Sequence, residues 1–408
     1  MRVEISEQVF TDQDKELFQD VLKEAYDKNV RPLCLCSHNK PPLYIAKVKN
    51  TYYLKRMPGT GQLHDIDCTH FEVSPLLSGR GNYENSAIVR DAETDSVTLK
   101  LGFSMSQSIQ PSSGEWGSSA NKNTSVANSG QKRMNLKGLL DFIYDEAKLT
   151  RYYPAMNGKR WYGIIEREMM KAVAPLKASR KNLKQAVFFP KYVKRDEGYE
   201  QNNMAMATFI DGLAEDKGKR PTGFVIGELH ALYENFNRPR MVLKLVNTGV
   251  ELEPKLYERV VKFYGTEIHS ATDNKDQHFI VIARVHNEQS HLLADQVAGM
   301  LVDEHWIPTA ESGVEELLMT TLYEQERSFE RVLRYGSQDG AVLASVILID
   351  TEEPTPVFIL PYDAGQDESD EEEDSSDLVT TIRNEAPNAF IITPGKPFHL
   401  PPKRIKRR

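Results

Sequence analysis

All three cysteines of this 408-residue chain fall within residues 34–70, at Cys34, Cys36 and Cys68, and His38, His64 and His70 stand among them. Thiols and imidazoles gathered in one short stretch are the donor set of a tetrahedral zinc site. The CxC pair places two sulfurs on one tight turn. Two closures are then open: Cys34, Cys36, His64 and Cys68, or Cys34, Cys36, Cys68 and His70. Each supplies four ligands and leaves no position for water, so the expected Zn2+ is structural. The competing explanations are buried free thiols beside solvated histidines and a redox dithiol, although redox pairs usually space their cysteines as CxxC. Three cysteines make a poor disulfide framework, and a reducing cytoplasm is expected.

The elements that must position these donors follow from pattern. Residues 11–26 read as an amphipathic helix with Leu17, Phe18, Val21, Leu22 and Ala25 on one face, and Arg31 and Pro32 stop it before the CxC. LYIAKV and TYYLKR, joined by Lys49 and Asn50, read as a β-hairpin that returns the chain toward its start. RMPGTGQLHDIDCTH then delivers His64, Cys68 and His70 on a Pro/Gly loop. Pro58-Gly59-Thr60-Gly61 lacks the GK[ST] continuation of a phosphate loop and reads as an ordinary turn. SAIVRDAETDSVTLKLGF suggests a second hairpin.

The combination of RPLCLC, YYLKRMPGTG and HDIDC, with KLTRYYPAMNGKRWYG, DEHWIPT and residues 329–350 further on, resembles the domain of unknown function 1173 family of bacteria. That family is characterised by three cysteines near the N-terminus and is often encoded on conjugative and integrating elements. In it the histidine four residues before the last cysteine recurs. The resemblance therefore favours His64 as the fourth ligand, although Cys34, Cys36, Cys68 and His70 also have the CxC…CxH spacing similar to a SWIM-type zinc finger. It implies no established activity.

Charge is segregated along the chain, so the formal net charge of −8 says little by itself. Residues 132–184 hold 13 Lys or Arg against five acids, a local surplus of +8. NLKGLLDFIYDEAKL and RWYGIIEREMMKAVAPL carry helical periodicity there, and NLKQAVFFP adds a short third piece. Tyr152, Tyr153, Trp161 and Tyr162 interleave with basic residues. Arg151, Lys159, Arg160, Arg167 and Lys171 are the candidate phosphate contacts, to DNA or RNA, of a helix-turn-helix or winged-helix unit. A solvated basic face with aromatics in the core is the bland alternative.

From Thr222 onward the pattern reads as alternating strands and helices, with TGFVIGELHAL, MVLKLVN and HFIVIARVH as strands and PKLYERVVKFYG and HLLADQVAGMLVDEHW as helices. No dinucleotide fingerprint or Walker loop is present. Residues 314–335 read as a long helix, followed by the strands VLASVILID and PVFILPY. That order is similar to the core of PD-(D/E)xK nucleases, but Ala344 and Ser345 stand where its Pro-Asp belongs and the next strand has neither Glu nor Lys. Only Glu315 or Glu316 and Asp350 remain, too few for its metal chemistry, so no catalytic residue is assigned; an active nuclease would need carboxylates such as Glu228, Glu315 and Asp350.

The expected whole is an α/β (α+β) chain: a zinc-bound β module over 1–103, a flexible linker over 104–131, a basic helical region over 132–200, an α/β domain with a degenerate nuclease-like core over 201–364, and an acidic spacer with a basic tail over 365–408. No apolar run reaches the roughly 20 residues of a membrane span, and the acid-bearing first residues do not read as a secretory signal. The favoured function is a non-enzymatic, nucleic-acid-associated factor of a mobile element. An active metal-dependent nuclease and a protein-interaction scaffold, its basic block meeting an acidic partner protein, are the alternatives.

Overall fold

A computed structural model describes residues 2–11, 15–48, 50–91, 96–108, 132–193, 197–234, 237–336, 343–361 and 371–405. Most of the expected linker (109–131), the start of the acidic run (362–370) and the last residues of the basic tail (406–408) lie outside them. The chain combines helices and sheets in an α+β arrangement. Among the described residues no helix is long and apolar enough to cross a membrane.

The N-terminal module opens with two strands that sequence did not anticipate, β1 (Arg2–Ile5) and β2 (Gln8–Thr11). The amphipathic helix follows as α1 (Lys15–Asp27), then the short strand β3 (Leu33–Cys34), which pairs with β1. The first hairpin is present as β4 (Leu43–Val48) and β5 (Thr51–Arg56), antiparallel and in register from Leu43 opposite Arg56 to Val48 opposite Thr51. Val3, Ile5, Phe18, Leu22, Ala25, Leu43, Ile45 and Tyr52 form a small core with Cys34. The second hairpin, β6 (Ile88–Asp91) and β7 (Ser96–Leu99), lies elsewhere: β7 pairs in parallel with a strand from the basic block.

The start of the expected linker is instead the strand β8 (Ser106–Ser108), which pairs antiparallel with residues 219–221. The basic block contributes α2 (Leu136–Glu146), β9 (Arg151–Tyr152), α3 (Tyr162–Val173), β10 (Leu176–Ala178), β11 (Lys181–Asn182) and β12 (Val187–Phe188), and α4 (Glu197–Gly212) follows it. Asn135 caps α2 by accepting from the Gly138 N–H at 2.7 Å. A curved sheet follows, built on the 15-residue strand β13 (Lys219–Tyr233) with β14 (Arg240–Leu243), β15 (Val250–Leu252), helix α5 (Pro254–Asp273), β16 (His278–Glu288) and β17 (His291–Val302). The first half of β13 pairs with β16 and its second half, past an irregularity at Leu229/Ala231, with β14, so the pairings β13-β14-β15-β17-β16-β13 close into a ring. Alternate residues face opposite cores, as pleating requires. Phe224, Ile226, Ile280 and Ile282 pack with α2 and α3 residues, while Val225, Phe279, Val281 and Ala283 pack with α4 and α5 residues.

Two expected helices are corrected here. HLLADQVAGMLV is strand β17, paired with β16 from Val302 to His291, because an apolar run buried in a sheet cannot be told from a buried helix by periodicity alone. The long helix expected over 314–335 is α6 (Gly313–Glu324), capped by Ser312, and ends before strand β18 (Phe329–Arg331). The chain continues as β19 (Val346–Leu348), β20 (Thr355–Ile359), α7 (Glu371–Glu385) and β21 (Phe390–Ile392), in a sheet of order β21-β20-β19-β18-β9. With β18 inserted and β18, β19 and β20 antiparallel in succession, the nuclease-like core has no support. The later part of the acidic run belongs to α7, whose Leu378, Val379 and Ile382 pack on this sheet.

Candidate metal centre

The cysteine–histidine cluster forms where two turns meet at the edge of the small N-terminal core. Cys34 ends β3, and its N–H donates to Pro41 O at 2.9 Å. Ser37 Oγ donates to Leu63 O at 2.9 Å, tying the CxC turn to the incoming loop. That loop closes tightly, with Cys68 N–H donating to Asp65 O at 2.8 Å and both His64 and Glu72 N–H groups donating to Gly61 O. Gly61 is required at this crossing: a Cβ there would sit 2.5 Å from Glu72 Cβ.

The ligand atoms of Cys34, Cys36, His64 and Cys68 all lie within 4.8 Å of one another. Cys34 Sγ is 3.7 Å from Cys68 Sγ, and His64 Nδ1 is 3.4 Å from Cys36 Sγ and 3.7 Å from Cys68 Sγ. Arms of about 2.3 Å to sulfur and about 2.0 Å to nitrogen give tetrahedral edges of roughly 3.5–3.8 Å. The Cys34–Cys68, Cys36–His64 and Cys68–His64 edges match, and with all four atoms within 4.8 Å of one another the group could hold a metal ion. Among the described residues no other group of three or more His, Cys, Asp or Glu side chains is so placed.

The electrostatics suit a cation. Burial pushes the Cys34 thiol up to about 12, with Cys68 and Cys36 adding to it, and burial also raises Cys68. Burial, with the neighbouring His70 and Arg56, takes His64 down to about 4, which keeps the imidazole in the neutral form a metal accepts. A metal on Nδ1 leaves the proton on Nε2, which is buried without a hydrogen-bond partner. Backbone donors support the sulfurs: Asp65 N–H reaches Cys36 Sγ at 3.4 Å and His70 N–H reaches Cys68 Sγ at 3.5 Å.

His70 is thus a neighbour of the cluster, its ring 5.5 Å from that of His64 and its carbonyl accepting from Arg56 at 3.3 Å. His38 is exposed and outside it. Sequence reasoning missed Gly61, Arg56 and Glu72, which fix the loop's exit. Arg56 pairs with Glu72, and Glu72 also receives Arg80 at 3.0 Å and Lys148 at 3.2 Å. Although burial alone would raise it, those cations hold the Glu72 carboxyl well below its usual range. Phe71 and Val73, the next residues, insert into the core of the C-terminal sheet, so the loop is anchored on both sides.

The basic candidates do not converge. Arg151 pairs with Glu330 at 2.7 Å and is mostly buried. Arg160 donates to the carbonyls of Leu149, His305, Lys148 and Arg151, so its guanidinium braces loops. Lys159 is exposed, and Arg167 and Lys171 share Glu168 on the surface of α3. The carboxylates do not converge either. Glu228 binds Lys244 at 2.5 Å and His278 at 2.7 Å, Glu315 is paired with Arg331 at 2.8 Å, and Asp350 with Arg327 at 2.7 Å. Glu316 is exposed.

A family model described as a protein of unknown function (DUF1173) matches residues 3–385. No curated protein and no solved structure matches the chain.

Proposed function

The chain belongs to the DUF1173 family over nearly its whole length, and from that premise we propose a non-catalytic, nucleic-acid-associated protein whose N-terminal module is held by a structural zinc ion. The observation that carries this is the donor set: three sulfurs and one imidazole nitrogen within 4.8 Å of one another, three of their separations at 3.4–3.7 Å, which supply four ligands to one ion. Zinc is preferred because soft thiolates with one imidazole, closed and four-coordinate, are its usual structural environment. The ion cross-links the CxC turn to the His64–Cys68 loop, and thereby the small N-terminal core to the chain that continues at Phe71.

A nucleic-acid role is supported by the basic surplus of residues 132–184 and by the exposed Lys159, Arg167 and Lys171. Arg151 and Arg160 stand behind that surface as braces. A mobile-element setting belongs to the same proposal. Metal-dependent cleavage finds no support, because Glu228, Glu315 and Asp350 are each neutralised by a separate cation.

The test has two arms. Elemental analysis of the purified protein is expected to give one zinc per chain, retained in His70→Ala and lost in His64→Ala. Binding to nucleic acid is expected to weaken steeply with added salt, with no cleavage in magnesium or manganese. Zinc loss in His70→Ala alone would reassign the fourth ligand, and indifference to DNA and RNA at low salt would remove the nucleic-acid role.

A further inference from the structure

Trp161 is 47% exposed at the start of α3, whereas Trp306 in the core is 3% exposed. An indole left in water gains nothing for folding, so how it is held matters. Its ring lies across the backbone of Gly163: a Cβ at that glycine would meet Trp161 Cζ3 at 2.2 Å and Cη2 at 2.4 Å. Tyr192, itself 45% exposed, meets the indole edge-on with ring centroids 4.6 Å apart and planes at 77°. The glycine floor and the tyrosine wall fix the indole plane.

The segment that carries the two rings is basic in sequence. Residues 148–192 hold 11 Lys or Arg and two acids, Glu166 and Glu168, although Lys148 and Arg151 are met by Glu72 and Glu330 from outside it. Lys159, two residues before Trp161, and Lys191, next to Tyr192, are both exposed. Glu168 is shared by Arg167 and Lys171, and the half-buried Glu166 faces Lys191 and Arg167, so positive charge prevails around the rings. A fixed aromatic surface beside exposed lysines matches unpaired bases on a phosphate backbone, since any base has a π-face and the lysines follow the phosphates.

Building on the nucleic-acid role proposed above, we propose that Trp161 and Tyr192 form a stacking platform, flanked by Lys159 and Lys191, and that the nucleic acid taken is single-stranded. In a duplex the bases are stacked on each other and offer no free face to an indole.

Fluorescence anisotropy on the full chain, with a single-stranded oligonucleotide and the same sequence as a duplex, tests this. Wild type binds the single strand more tightly. Trp161→Ala lowers single-strand affinity by about tenfold or more, leaves duplex binding unchanged and keeps the salt dependence, while Trp161→Phe retains most of the affinity. Lys159→Ala with Lys191→Ala flattens the salt dependence instead. Trp161 is exposed, and an unchanged thermal midpoint confirms that its variants fold. Gly163→Ala, which displaces the indole, weakens single-strand binding in the same direction. If Trp161→Ala binds the single strand within twofold of wild type, or the duplex is preferred, the platform is wrong and the nucleic-acid role stands. If wild type binds neither strand form at low salt, both fall.

Discussion

The cysteine–histidine cluster and the C-terminal carboxylates present opposite solutions to placing reactive groups. At the N-terminus four donor atoms come together within 4.8 Å of one another. Farther on, Glu228, Glu315 and Asp350 are each buried or half-buried apart, and each is met by its own lysine, histidine or arginine. A group whose charge is already matched within the chain has little left for a ligand, whereas thiols pushed toward neutrality by burial need an external cation to ionise. Chemistry in this protein is therefore expected where donors gather without an internal counter-ion.

The largest effect that would break this contrast concerns the ion itself. Structural zinc supplies about 10–16 kcal/mol to small finger peptides, and the N-terminal core here is small. Chelation, or Cys34→Ser, is expected to release the metal and raise hydrogen exchange throughout β4 and β5, leaving the ring-forming sheet protected. A Cys34→Ser protein that keeps stoichiometric zinc and a protected hairpin would show that the cluster is ordinary core.

On the other side of the contrast, Arg327 is almost fully buried and reaches Asp350 with Nε and Nη2 and Pro401 O with Nη1. Arg327→Met strands the Asp350 carboxylate and is expected to cost about 3–5 kcal/mol in denaturant unfolding. Replacing both partners with apolar residues should recover much of that loss. A neutral single variant would mean that Asp350 is not held by this pair and is open to another role.

A smaller, graded effect comes from pH. Burial would raise Glu146, but Arg90 and Arg80 outweigh it and hold the carboxyl at about 2, against an ordinary 4.5. Its folded value is below its unfolded one, so the stabilisation is fully present above pH 4.5 and disappears as pH falls toward 2. Arg80→Met should shift the acid-unfolding midpoint upward, measured by circular dichroism at fixed salt.

What sequence made legible was local. The CxC turn, the LYIAKV/TYYLKR hairpin and the HDIDC loop are each built from residues close in sequence, and spacing alone brought His64 and His70 forward as candidates. Spacing did not choose between them; the family resemblance favoured His64, and the path of the loop brings His64 Nδ1 to the sulfurs of Cys36 and Cys68. Non-local structure was hidden. Strand β17 carries enough Leu, Ala and Met to look helical until β16 pairs with it. Arg151 and Arg160 looked like phosphate contacts because composition cannot show that Glu330 and four backbone carbonyls wait for them.

The smallest expected effect lies where the two regions meet. Arg404 donates its backbone N–H to Asp350 O at 2.7 Å, and its guanidinium pairs with Asp67, between His64 and Cys68 of the cluster. Asp67 is 69% exposed in its side chain, so the pair is screened and should contribute at most about 1 kcal/mol to global stability. Its local effect is larger in kind: Arg404→Ala removes a tether between the metal loop and the C-terminal sheet while keeping the backbone bond to Asp350. Faster hydrogen exchange at residues 65–69, with zinc content and denaturation midpoint nearly unchanged, is the expected result. Loss of zinc in this variant would mean that the loop depends on the C-terminal segment for its shape, and that the metal centre is not self-contained.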